Sequence, residues 1–79
     1  RFRINDLAPR YVSVVGADKK HLRMQIDRFA CIGFKLGYWA GKLGEGDRID
    51  IVCEPKFNYW NREKKVQLKI IDLVLHEPR

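Results

Sequence analysis

Cysteine is scarce in this chain, and its two copies form no motif. Cys31 and Cys53 sit in separate apolar runs with no C-x-x-C, and the two histidines, His21 and His76, are far apart in sequence. A structural zinc site needs closely spaced ligand pairs, so none is expected. Reduced, buried thiols in a cytoplasmic protein are the expectation instead. Long apolar runs are missing as well. No segment comes near the roughly 20 apolar residues that a membrane-crossing helix requires, so neither a membrane nor a targeting segment enters the reading. There is also no nucleophile beside a histidine, no phosphate-cradling glycine loop and no carboxylate cluster with metal spacing. Asp47 and Asp50 fall on opposite faces of one expected strand and cannot jointly hold a metal. A free-standing enzyme is therefore disfavoured, and no cofactor is expected in the chain. Internal repeats and low-complexity segments are absent too.

What remains is short and basic. The 79 residues make one domain with one small core. A core of that size rarely nets more than roughly 3–5 kcal/mol. The chain starts at Arg1, and a piece of a larger protein, monomeric by itself, is the expectation. Sixteen Lys and Arg stand against ten Asp and Glu, a formal charge of +6, which favours a polyanionic partner. The charge is uneven. Lys56 to Lys65 holds Lys56, Arg62, Lys64 and Lys65 against Glu63, whereas Gly44 to Glu54 is acidic.

Hydrophobic periodicity gives the order of elements. Residues 1–10 read as a lead-in with a turn at Ala8-Pro9, 11–75 as the folded domain and 76–79 as a tail. Tyr11–Gly16 is a first expected strand, with Val12 and Val14 on one face. His21–Asp27 alternates cleanly, with Leu22, Met24 and Ile26 inward. Phe29–Phe34 is a third, with Ala30, Ile32 and Phe34 as its inward set and Gly33 leaving the opposite face flat. Leu36, Trp39, Ala40 and Leu43 then fall at i, i+3, i+4 and i+7, one stripe of a short helix that Gly37 and Gly41 weaken. From Arg48 the period returns to two, with Ile49, Ile51 and Cys53 inward and Pro55 marking a bend or an edge. Tyr59 shares their parity and reads as core or hairpin packing. The last strand, Lys65–Leu75, slips its alternation between Ile70 and Ile71, as a bulge would. Three strands, a helix and two more strands predict an all-β fold, a five-stranded OB-fold barrel with a short helix between strands 3 and 4. The predicted core is Leu22, Met24, Ile26, Ile32, Ile49, Ile51, Leu68 and Ile70.

Such a barrel binds on its second and third strands, between the loop joining strands one and two and the loop joining strands four and five. Lys19 and Lys20 occupy the first of those loops, and His21 and Arg23 the outward face of strand two. The second loop and its flanks supply Lys56, Asn58, Trp60, Asn61, Arg62, Lys64 and Lys65. Cations meet phosphates and flat rings stack on unpaired bases, so these residues are the candidate single-strand-binding site.

From Tyr11 to Leu73 the chain resembles the OB-fold domain of RecJ-type single-stranded-DNA exonucleases. Four stretches carry the likeness: Val15–Arg23 (VGADKKHLR), Ala30–Gly37 (ACIGFKLG), Leu43–Asp50 (LGEGDRID), and Asn58–Asn61 (NYWN) followed by Val66–Asp72 (VQLKIID). The chain departs from the family at Arg62, where Gly often follows the Trp-Asn pair. The resemblance implies an accessory domain of a 5′–3′ exonuclease active in DNA repair and recombination. Its partners would be single-stranded DNA and the catalytic domains of the same polypeptide. Mn or Mg would serve a separate catalytic core, which this chain lacks. The alternative is an intramolecular docking domain, with Ile71, Val74 and Leu75 covering a neighbour and the basic loops merely bordering a channel.

Overall fold

Strand alternation dominates the computed structural model, which describes residues 1–44, 46–60 and 62–76, Trp60 by its backbone alone. The strands are β1 (Phe2–Leu7), β2 (Arg10–Val15), β3 (His21–Ile26), β4 (Phe29–Gly33), β5 (Ile49–Trp60) and β6 (Glu63–Leu75). A 3-10 helix, Gly37–Gly41, lies between β4 and β5. All six strands form one sheet in the order β1-β5-β6-β4-β3-β2. Among the described residues only the β4–β6 pairing is parallel.

The clean alternations form strands as expected. Leu22, Met24 and Ile26 of β3 and Ile49, Ile51 and Cys53 of β5 are all buried. On β6, Leu68 and Ile70 are buried, and the next buried side chain is Leu73. The expected bulge accounts for that step of three. Cys53 lies opposite Ile70 and Val52 opposite Asp72, so Ile71 is the extra residue. Pro55 also falls where β5 becomes an edge. The pairing of β1 with β5 ends at Phe2 opposite Cys53, and beyond it a residue without an N–H loses no ladder bond on that side.

Four expectations need correction. The first ten residues are not a plain lead-in, because Phe2–Leu7 pairs along β5. Arg3, Asn5 and Asp6 break its apolar pattern, so pairing rather than periodicity makes it a strand. The strand count is accordingly six, not five. The inward set of β4 is inverted. Cys31 and Gly33 are buried, Phe29 packs on the core, Ile32 is half-buried and Phe34 is 53% exposed. Register decides this, since Cys31 lies opposite Met24 on one side and Leu68 on the other, both core residues. Gly33 opens no face to a ligand, because a Cβ there would meet Leu36 Cδ1 at 2.7 Å.

Leu36, Trp39, Ala40 and Leu43 pack on the core as their spacing predicts, although the turn they ride on is 3-10. Gly37 lets that turn press against the β2–β3 loop. Its N–H donates to the Lys20 carbonyl at 2.7 Å, and a Cβ would meet the same oxygen at 2.7 Å.

A polar cluster helps fasten β1. Asp50 Oδ1 accepts the Asp6 N–H at 2.8 Å and lies 2.6 Å from His76 Nε2, and Arg3 stands 3.8 Å from the other oxygen. The Asp6 N–H, followed by the His76 ring, holds the Asp50 carboxyl below its ordinary value. A carboxyl lowered by folding adds stability above its unfolded pKa and loses it as pH falls through the folded value. Asp50→Asn is therefore expected to lower the melting temperature at neutral pH. The gap to the parent should narrow as pH drops below about 4. A gap of constant size from neutral to acid pH would contradict this role for the carboxylate.

Candidate nucleic-acid interface

The sheet register sorts the outward side chains into rows. One row runs Ser13, Arg23, Ile32, Lys69, Glu54; the next runs Arg10, Gln25, Ala30, Gln67, Lys56. Beside the first, His21 begins β3 and Phe34 follows β4, their rings edge to face with centroids 5.2 Å apart. His21 Nδ1 accepts the Lys35 N–H at 3.1 Å, which fixes the imidazole against the turn after β4. Lys69 Nζ stands 5.9 Å from the Phe34 ring centre. An exposed aromatic ring therefore lies on the outer face with two cations, Arg23 and Lys69, in the adjoining row. A base could stack there while its phosphates meet the cations.

The two expected ligand loops flank this face. Lys19 and Lys20 are exposed in the β2–β3 turn, where the Lys19 N–H donates to the Gly16 carbonyl at 3.1 Å. Lys20 Nζ is 3.8 Å from the exposed Asp18 carboxylate, a pairing that water weakens. On the other side, β5 and β6 pair from Ile49 opposite Leu75 out to Trp60 opposite Glu63. Beyond Cys53 the hairpin has lost β1, and before Gln67 it has no β4 partner, so its end projects as a two-stranded arm. Arg62 at its tip has φ 65°, the left-handed conformation glycine adopts without penalty. Arginine keeps a cation at the tip where a glycine would relieve backbone strain.

The arm divides the predicted cations. Lys56, Asn58, Lys65 and Gln67 share one side, continuous with the outer sheet face. Lys64 is on the other side with Phe57 and Tyr59, its Nζ 4.2 Å from the centre of the Phe57 ring. Lys56 is also 3.7 Å from Glu54. The structure thus gathers Arg23, Lys56, Asn58 and Lys65 on one face. It sets Lys64 apart, keeps His21 beside the Phe34 ring and leaves Lys19 and Lys20 in the turn beyond it. Whether Trp60 stacks on a base or lids the barrel's end, and the role expected of Asn61, lie outside the described residues. Tyr59 is not core but 75% exposed, because the arm runs past the strands that would cover it.

Sequence reasoning missed Phe34 and Lys69. The parity of Lys69 was legible, since it alternates with Leu68 and Ile70. Phe34 was hidden by the inverted reading of β4. The thiols add no chemistry here. Burial pushes Cys31 up to about 12 and raises Cys53 as well, which keeps both protonated and inert. Among the described residues no group of three His, Cys, Asp or Glu side chains could hold a metal ion, and no helix is long and apolar enough to cross a membrane.

No solved structure matches the chain. The Single-stranded-DNA-specific exonuclease RecJ of Bacillus subtilis (strain 168) is 39% identical to it over 70 residues. That alignment takes in 84% of this chain and 9% of the relative, so the chain spans under a tenth of that protein's length. The RecJ OB domain family matches residues 1–72. The match starts before β1, runs through the arm and ends inside β6. With β1, the outer face and both loops all inside it, the chain belongs to the RecJ OB domain family.

Proposed function

We propose that this chain is the single-stranded-DNA-binding accessory domain of a RecJ-like exonuclease, guiding the strand towards a catalytic core outside the chain. One observation carries the reading: Arg23, Phe34, Lys69, Lys56 and Lys65 share a single outer face. The OB architecture supports it. We read β1 and β2 as one strand bent at Ala8-Pro9, since they are the outermost strands of the sheet and only those two residues separate them. Register shifts in both strands and positive φ at Asp6 and Tyr11 flank that bend. On that reading the six strands correspond to the five of an OB barrel, with β3 and β4 as its second and third, the binding face of that fold. Cleavage is not assigned to this chain.

The test is a titration of labelled single-stranded DNA at several salt concentrations. Three or four engaged phosphates predict a log–log slope of about −2 to −3, at roughly −0.7 each. Lys56→Ala with Lys65→Ala should flatten the slope, and duplex should bind less well because its bases cannot stack on protein rings. Failure to bind at low salt would overturn the proposal and favour intramolecular docking. The feature on that side is Val74, 53% exposed beside the half-buried Leu75 and the bulged Ile71.

A further inference from the structure

β4 and β6 run together only from Ala30 opposite Gln67 to Ile32 opposite Lys69. Before that stretch the two strands diverge. β4 is joined through Arg28 and Asp27 to β3, while the start of β6 belongs to the arm. Between the β3–β4 turn and the arm lies a cleft of about 790 Å³, within the roughly 300–1,000 Å³ typical of small-molecule sites.

Its lining draws on both sides of the sheet: Asn58, Lys65 and Gln67 border it from the outer side, Phe29 and Tyr59 from the other. Phe29 and Tyr59 give it two aromatic rings, Asn58 and Gln67 two amides, and Arg28 and Lys65 two cations. Phe29 is half-buried and packed on the core, so that ring is fixed in place. Arg28 stands 5.7 Å from its centre. Tyr59 is 75% exposed, so its ring is free to meet a ligand. Rings accept the face of a flat heterocycle, amides offer both donors and acceptors to its edge, and cations meet the phosphates on either side.

We infer that this cleft takes one unpaired nucleobase of a bound strand. The inference rests on the single-strand-binding reading and deepens it. The outer face at Phe34 tracks the strand, and the cleft inserts one base and reads its edge through Asn58 and Gln67. A paired base cannot enter, because its edge is already bonded and its faces are stacked on its neighbours. Binding therefore carries a base requirement at one position, beyond its dependence on backbone charge.

The experiment uses the 79-residue chain and a labelled strand of about eight nucleotides, within the span of one OB fold. An abasic site replaces each nucleotide in turn. One position should weaken binding by roughly 5- to 150-fold, the factor a lost base–aromatic stack gives. Tyr59→Ala should weaken the intact strand by a similar factor and abolish the difference between intact and abasic strands. Its ring is largely exposed, so the variant should fold. Tyr11→Ala, which removes an exposed ring outside the cleft, should leave that difference unchanged. If every abasic strand binds the parent like the intact one, or if Tyr59→Ala still discriminates, the cleft holds no base. Salt-dependent binding would then stand without it. Absence of binding to any strand would overturn both readings.

Discussion

Ile51→Ala is expected to leave most of the chain unfolded near room temperature. Ile51 is 1% exposed and pairs with Ile4 on β1 and Leu73 on β6, so its side chain fills the centre of the sheet's inner face. Truncating a buried isoleucine costs about 2–5 kcal/mol, part of it for the cavity left behind. A domain of this size holds a margin of only roughly 3–5 kcal/mol, so the substitution removes most or all of it. Ile32→Ala makes the same chemical change on the outer, half-buried face, where truncation leaves no closed cavity. It should cost clearly less. Urea unfolding followed by circular dichroism separates the two. An Ile51→Ala variant melting cooperatively near the parent temperature, or an Ile32→Ala variant as damaged as Ile51→Ala, would contradict the inward rows.

That pair of substitutions also marks where the sequence can be read and where it cannot. β3, the first part of β5 and the later part of β6 have one buried and one wetted face, so residue type alternates and the inward set is legible. The bulge at Ile71 was legible because two isoleucines in succession cannot both face in. β4 offers no such contrast. From Phe29 to Phe34 every residue is apolar or glycine, and strands flank it on both sides, so only the register with Met24 and Leu68 decides which set is buried. The arm misleads in the opposite way. Tyr59 keeps the parity of Cys53, but parity does not tell where the covering strands stop. The cations of the loops and the arm could be named from sequence because they lie in or beside the turns, whereas Lys69, within β6, was missed. The separation of Lys64 from Lys65 and the exposure of Phe34 came only from pairing partners.

Phe34→Ala is expected to weaken single-stranded DNA binding by about 1–3 kcal/mol, the range measured when a base loses an aromatic platform. The ring is 53% exposed and contributes little to the core, so the melting temperature should change little. The salt slope should stay as in the parent, because no charge is removed. Lys69→Ala tests the neighbouring contribution. Its ammonium lies 5.9 Å from the ring and in the row of Arg23, placed to meet a phosphate beside the stacked base. Losing it should make the slope shallower by about 0.7. The contrast between the two variants is the informative result, since a stacking surface and a phosphate track fail differently. Phe34→Leu keeps the apolar bulk but not the flat ring, and should lose most of what Phe34→Ala loses. If Phe34→Ala binds like the parent while Lys56→Ala with Lys65→Ala does not, the strand follows the arm and leaves the face of β3 and β4 untouched. The outer-face assignment would then be wrong, even though the chain binds DNA.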